Sequence, residues 1–416
     1  MTNFETAPTI AALEGLRILD LSGPMGNYCG KMFADMGADV ILVEPPGGSG
    51  LRFEPPFIGD VPGAERSLNF AYHNTSKRGI CLDLDTPSGQ QLMRELAGTA
   101  DLVLETAPPG WMDARGIGHN DLSRLRPQLV TASITPFGQT GPYADMAATD
   151  LVGLAMGGLL YMGGYHDLAP TQAHGNQAFM CAAMYGAVAA MLALTEAEST
   201  GHGQHVDISM QEAVTLALEN AAQTFDLEGV VRTRPFAEQR FAGYGLFECK
   251  DGFIYLGSRG IGNSPAWSRS LQWFKDEGMV GVEQLFGPEW SDLTYLKTSD
   301  AREIFGRLFM DWARQHDKAW LYREGQKRLI PLAPVSTPAD LLQNPQLHAR
   351  GHFVEFTHPL LIQAARMPGA PYVMSGSPWR VSRPAPSLGQ HTAEIMGEIG
   401  IAATDLSRLY SMGVLA

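Results

Sequence analysis

The feature that most constrains this fold is a series of short apolar segments that do not alternate. Residues 16–21, 40–43, 80–84, 102–105 and 129–134 are mostly hydrophobic, and stretches with helical spacing separate them. A strand with one wet face alternates apolar and polar residues. A strand buried on both faces does not, so these segments predict a parallel sheet covered by helices on each side. Residues 26–36 predict the first of those helices, ended by Gly37-Ala38-Asp39, and residues 87–97 predict another with Pro87 in its first turn. The alternation is Rossmann-like, although the dinucleotide fingerprint GxGxxG is missing.

Further along, residues 177–198 and 211–227 predict two helices, the first rich in small side chains, with a turn at 201–204 and a short strand at 205–208 between them. A polar, basic stretch over 233–243 marks a change of texture. From Tyr244 a different module begins: 246–249 and 253–256 flank Asp251-Gly252 as a β-hairpin, and helices follow over 267–277 and 301–315. An α/β texture returns with an apolar run at 331–335, a helix at 338–344 and a strand at 353–356. The expected class is therefore α/β. The expected division is a large domain over 1–225, a linker and small α+β domain over 226–330, and a return to the large domain over 331–416.

With 416 residues, 45% hydrophobic and only 18% charged, the chain is neither disordered nor low in complexity. Forty-four acids against thirty Lys and Arg give a net charge of −14, which argues against a nucleic-acid binder. The four cysteines lie far apart without zinc spacing and are expected to be free thiols in a reducing compartment. The opening residues Met1-Thr2-Asn3-Phe4-Glu5 carry no signal-peptide pattern. The most apolar stretch, 178–194, falls short of the ~18 residues of a membrane span, and its small residues suit close packing. The expectation is a cytoplasmic protein with no membrane and no nucleic-acid partner.

Standard catalytic constellations are mostly absent. There is no GxSxG elbow and no P-loop. His202 and His205 sit at a turn and a strand without a third ligand, so no metal is expected. Asp35, Asp39 and Glu44 flank the first helix and second strand, where solvation or helix-end roles suffice. Gly47-Gly48-Ser49-Gly50 reads either as a weak phosphate cradle or as an ordinary loop. Lys77-Arg78, just before the strand at 80–84, reads either as a cation pair for a phosphate at the sheet edge or as a surface pair.

Joint sequence blocks go further. They run from Leu13-Glu14-Gly15-Leu16-Arg17-Ile18-Leu19-Asp20-Leu21 through Ala34-Asp35-Met36-Gly37-Ala38-Asp39-Val40-Ile41 and Ser76-Lys77-Arg78-Gly79-Ile80. They continue with Phe137-Gly138-Gln139-Thr140-Gly141-Pro142-Tyr143 and Gly201-His202-Gly203-Gln204-His205-Val206-Asp207. Asn344-Pro345-Gln346-Leu347 and Pro386-Ser387-Leu388-Gly389-Gln390-His391-Thr392 close the series. In this order over nearly the whole chain, they resemble the class III CoA-transferases, a family that includes formyl-CoA transferase, carnitine CoA-transferase and α-methylacyl-CoA racemase. The resemblance implies a Rossmann-like domain built from both chain ends, a smaller central domain and two interlocked ring-shaped subunits. It also implies CoA or acyl-CoA as substrate and a carboxylic acid as acceptor. An Asp attacks the acyl-CoA thioester to give a mixed anhydride and CoA thiolate. The thiolate returns to form an aspartyl-CoA thioester, from which the acceptor takes CoA.

Two departures from the family stand out. The nucleophilic Asp follows Gly just before the long helix, and here Ala173-His174-Gly175-Asn176 puts Asn176 in that place. The racemase pair is missing too, because Thr149 precedes Asp150 where racemases carry His. Second, a CoA loop commonly reading Glu-Asn-Phe-Arg-Pro-Gly is here Glu105-Thr106-Ala107-Pro108-Pro109-Gly110, with its following Arg displaced to Arg115. Thr106, Lys77 and Arg78 are what remains as candidate CoA contacts.

A substitution confined to position 176 explains the first departure but not the altered loop. An active homodimer would need another acid, such as Asp150 or Asp167. A subunit paired with a catalytic paralogue explains both departures, and heteromeric members exist, succinyl-CoA:benzylsuccinate CoA-transferase among them. A non-catalytic scaffold is the alternative outside enzymology. Tyr161, Met162, Tyr165 and His166 precede the altered position and read either as an acyl pocket or as core and loop residues.

Overall fold

The computed structural model describes residues 11–165, 167–234, 239–258 and 265–416. The chain forms two compact units. The larger comprises Met1–Leu160, Ala173–Gly229 and His348–Ala416, and the smaller Tyr161–Gln172 and Val230–Leu347.

In the larger unit, six strands form one parallel sheet: β1 (Arg17–Leu21), β2 (Asp39–Glu44), β3 (Arg78–Cys81), β4 (Leu102–Glu105), β5 (Val130–Thr135) and β6 (His205–Ser209). Their order is β3-β2-β1-β4-β5-β6, so the chain reverses direction across the sheet between β1 and β4. The lack of alternation has the expected cause. In β2, Val40 and Leu42 point away from Ile41 and Val43, and all four are buried. On one face, Ile18, Val40, Leu104 and Ile134 pack with helices Asn27–Asp35 and Gln177–Thr200. On the other, Leu19, Ile41, Ile80 and Val103 pack with helix Pro87–Ala97 and with Ile395, Met396 and Leu415 from the chain end. Both ends of the chain therefore build this unit.

Helix Gln177–Thr200 lies close to the sheet because its inner side is small. A Cβ on Gly186 would sit 2.6 Å from Ile134 Cδ1, so any larger residue there would have to displace that buried side chain. The helix runs 24 residues and by length and composition matches a membrane span, a longer apolar element than expected; its small inner residues are packed in the core. The single helix expected over 211–227 is instead two, Met210–Leu216 and Ala221–Glu228. Glu219, at φ 52°, breaks it in a left-handed conformation.

The smaller unit holds an antiparallel sheet of β7 (Gln239–Phe241), β8 (Tyr244–Cys249), β9 (Gly252–Gly257) and β10 (Leu332–Pro334), in the order β10-β9-β8-β7. Its core is aromatic, with Phe247, Trp273, Phe305, Phe309 and Trp312 packed together. The segment 331–335, read from sequence as a return to the α/β domain, is placed here. β10 pairs antiparallel with β9, so the return falls at His348. The short stretch Tyr161–Gln172 also belongs to this unit, a crossing that no change of composition marks.

Candidate active site

Open parallel sheets bind ligands beyond the carboxyl ends of the strands where strand order reverses. Here a cavity of about 230 Å³ opens at that place, lined among others by Leu21, Glu44, Asp83, Asp85, Glu105 and Thr106. Thr106, after β4, accepts a hydrogen bond from the Gly23 amide, after β1, at 2.7 Å and so joins the two loops that flank the reversal.

The cavity lining is rich in carboxylates and holds no Lys or Arg among the described residues, and the two arginines that pair with those carboxylates stand behind it. Arg52 is buried, and its Nη2 and Nε lie 2.7 and 2.8 Å from the two oxygens of Glu44. Arg115 stacks 3.8 Å over the Trp111 ring and pairs with Asp85 at 2.5 Å. Glu105 is buried at the end of β4 and accepts from the Ala107 amide at 2.5 Å. Burial raises its pKa to about 7, with Asp113 and Asp207 adding to the rise, while hydrogen bonds from Ser133 and Ala107 oppose it.

The two cations singled out from sequence are used inside the unit, which corrects the reading of them as phosphate ligands or as a surface pair. Lys77 is fully buried. Its Nζ donates to Asp20 Oδ2 at 2.7 Å, Asn74 Oδ1 at 2.8 Å and the Asn27 carbonyl at 2.9 Å. Arg78 pairs with Asp39, Glu394 and Glu398, tying β2 and β3 to helix Thr392–Glu398 near the chain end. An ammonium with three buried acceptors has no donor left for a ligand. Asp35, Asp39 and Glu44 are likewise ion-paired, and Asp35 and Glu44 are buried rather than solvated. The glycine loop is not a cradle either. Gly48, at φ 90°, has Arg52 Cδ 2.7 Å from where a Cβ would stand, and the Ser49 amide donates to Glu44, so the loop closes over that ion pair.

Asn176 stands immediately before helix Gln177–Thr200, exposed, and its side chain makes no capping bond. The capping falls to Asp150, whose Oδ1 accepts from the amides of Ala178 at 2.7 Å and Phe179 at 3.1 Å. Asp150 is only 6% exposed. Asn176 thus projects at the positive end of a long helix dipole without structural work of its own. That position would stabilise an anion, and a carboxamide supplies none.

Tyr161 and Tyr165 fall in the smaller unit. There Arg234 donates from three nitrogens to the carbonyls of Tyr161, Tyr165 and Leu168, each at 2.9 Å. Its guanidinium also lies 5.2 Å from the Tyr161 ring centroid. Met162 is in the same segment, and His166 lies outside the described residues. Asp167 is exposed in that unit as well. Among the described residues, no group of three His, Cys, Asp or Glu could hold a metal ion. The four cysteines are free thiols.

A sequence model of the CoA-transferase family III matches residues 13–392. The chain belongs to that family. It is a class III CoA-transferase in sequence and fold. It is 38% identical over 399 residues to the succinyl-CoA:(R)-benzylsuccinate CoA-transferase subunit BbsE of Thauera aromatica, covering 96% of this chain and 97% of that protein. It is 31% identical to a succinate–glutarate CoA-transferase of Agrobacterium fabrum, over 93% of this chain and 95% of that one. It is 28% identical to the succinyl-CoA–L-malate CoA-transferase beta subunit of Chloroflexus aurantiacus, over 98% and 99%. Among solved structures, a CAIB/BAIF family protein from Brucella suis superposes with a TM-score of 0.82 at 28% identity, covering 94% of this chain and 99% of that one.

Sequence reasoning singles out Asn176 and Thr106 and names Glu44, but does not foresee the carboxylate cluster. The signal was available. Glu44 and Glu105 end apolar strands and Asp83 and Asp85 follow one, which in a parallel sheet places all four at the ligand-binding edge.

Proposed function

We propose that this chain is the non-nucleophilic subunit of a heteromeric CoA-transferase and works with a paralogous subunit that carries the catalytic Asp. The observation that carries this reading is Asn176, exposed at the family's nucleophile position and free of any capping role. Asp150 offers no replacement acid, because it is buried and its Oδ1 is held by two helix amides. A neutral amide cannot attack a thioester, form the mixed anhydride and later leave.

Two further features support a partner. The outer side of helix Gln177–Thr200 exposes Met184, Tyr185, Val188 and Leu192, the last two to 59% and 68%. Leu151, Met156 and Leu216 are also exposed, on helices packed against it in the same unit, and so much exposed apolar surface is uncommon on a chain that stays alone. Two relatives are named as subunits, BbsE and the beta subunit. The relatives' names also suggest the substrates: succinyl-CoA as donor and a second dicarboxylic acid as acceptor.

The test is purification of the chain alone and with co-expressed paralogues, followed by CoA transfer from succinyl-CoA to dicarboxylic acids. Activity is expected only in the mixed assembly. Robust transfer by this chain alone refutes the reading. Asn176→Asp is expected to leave the isolated chain inactive, because the carboxylate-lined cavity remains.

A further inference from the structure

A second cavity of the larger unit, of about 320 Å³, opens at the amino ends of the strands, where β2 begins at Asp39 and β3 at Arg78. Glu44 and the carboxylate-lined cavity lie at the other end of β2, about 16 Å away along the strand. The lining of this second cavity includes Arg380, Ser382 and Arg383, from a segment near the chain end. Three bonds pin the backbone of that segment. The Arg380 amide donates to the Asp35 carbonyl at 3.1 Å, the Ser382 amide to Ser76 Oγ at 3.0 Å, and the Ser76 amide to the Arg383 carbonyl at 2.9 Å. The side chains are not tied down in this way. The Arg380 and Arg383 guanidiniums and the Ser382 hydroxyl make no hydrogen bond or ion pair among the described residues.

Two unpaired guanidiniums in one cavity run against the charge of their surroundings. The net charge of −14 falls on the larger unit, because the smaller one has as many acids as Lys and Arg. The acids of the cavity are nevertheless spent elsewhere. Asp35 is buried and accepts from Lys31 Nζ at 2.7 Å and Ser76 Oγ at 2.6 Å. Asp39 pairs with Arg17 and Arg78. Glu14 is exposed and accepts from the Ala11 amide at 3.3 Å. Helix Asn27–Asp35 ends at this cavity, but its Phe33 and Ala34 carbonyls accept from the Ala38 and Gly37 amides and do not compete for the guanidiniums.

We propose that Arg380, Ser382 and Arg383 form an anion site that takes a small dianion, a phosphate or a short dicarboxylate, at the sheet edge opposite the carboxylate-lined cavity. Each guanidinium presents a planar fork that can give two parallel N–H bonds to a carboxylate or phosphate. Both arginines are exposed, and exposed charges alone hold an anion weakly in salt. The cavity adds a fixed backbone, so that less freedom is lost when the two forks close on one ligand.

Calorimetry on the purified full chain tests this, with inorganic phosphate and succinate as probes at constant ionic strength. At least one probe should fill a saturable site. Arg380→Gln and Arg383→Gln should each weaken binding more than ~10-fold, the loss of charge-assisted bonds. Ser382→Glu keeps both arginines and puts a carboxylate in the same cavity, and it should weaken binding as much. None of these side chains bonds within the described residues, so circular dichroism should be unchanged. Arg124→Gln removes the same charge from an exposed arginine paired with Asp121 and should leave binding as it is. Binding of phosphate alone identifies a phosphate ligand and of succinate alone a dicarboxylate, and either result, or both, supports the site. Binding that survives either arginine substitution overturns it. So does an equal loss in Arg124→Gln, which would mean diffuse charge attraction, and so does the absence of saturable binding of both probes.

Discussion

Lys77→Met separates a structural cation from a ligand-binding one. The wild-type ammonium and its Asp20 partner are both fully buried, and Nζ makes three bonds of 2.7–2.9 Å. Removing the cation leaves Asp20 as a buried charge held only by the Ser22 amide and hydroxyl. It also strips a donor from the Asn27 carbonyl and from Asn74 Oδ1. Breaking a buried pair in this way costs ~3–5 kcal/mol, because the remaining charge keeps its desolvation penalty and loses its counter-charge. Tryptophan fluorescence would miss much of the effect, since five of the seven tryptophans lie in the smaller unit. Hydrogen exchange of peptides covering β1 and β2, at fixed protein concentration, reads the unit that contains the pair. Exchange there should accelerate by at least ~100-fold, and Asp20→Asn in the same chain should recover part of the loss. If Lys77→Met changes stability by less than ~1 kcal/mol yet abolishes CoA binding, the assignment to internal structure is wrong.

Three further outcomes are expected. Glu105 has its pKa raised on folding, so its contribution to stability is whole below about pH 4.5 and is lost as pH rises through about 7. That loss is worth ~3 kcal/mol, and urea melts from pH 5 to pH 8 should show it flattened in Glu105→Gln. Val188→Asp and Leu192→Asp, on the exposed side of the long helix, should weaken subunit assembly more than ~10-fold in analytical ultracentrifugation with unchanged circular dichroism, through burial of a charge in an apolar interface. Arg234→Ala removes three carbonyl bonds of ~1 kcal/mol each, so hydrogen exchange across Tyr161–Gln172 should rise at least ~10-fold, and Arg234→Lys should not rescue it because one ammonium cannot replace the fork.

Much of the fold was legible because burial on two faces writes itself into local composition. Five of the six parallel strands overlap the apolar runs that predicted them, the third beginning two residues early at Arg78; the sixth falls at the short strand expected over 205–208, and helix Pro87–Ala97 has the limits its Pro and spacing predicted. The misses have physical causes. The segment around β10 is as apolar as a parallel strand, and its antiparallel pairing with β9 depends on a neighbour some eighty residues away. The split at Glu219 rests on one backbone conformation that side-chain pattern does not record. Lys77 and Arg78 looked available because a charge before a strand is usually solvated. Their burial follows from Asp20, Asp39 and helix Thr392–Glu398 converging on them.

By itself the sequence determined the sheet and the family, and it put Asn176 where the resemblance places a nucleophilic Asp. Those follow from residue identity and short-range order, which a chain carries before it folds. Only the tertiary structure decided which charges are spent on the fold and which line the cavity. Lys77 went to Asp20 and Arg52 to Glu44, while Glu105 was left buried in the cavity wall, held by the Ala107 amide. A charge acquires its role from desolvation and from its nearest counter-charge, and both are set by residues distant in sequence.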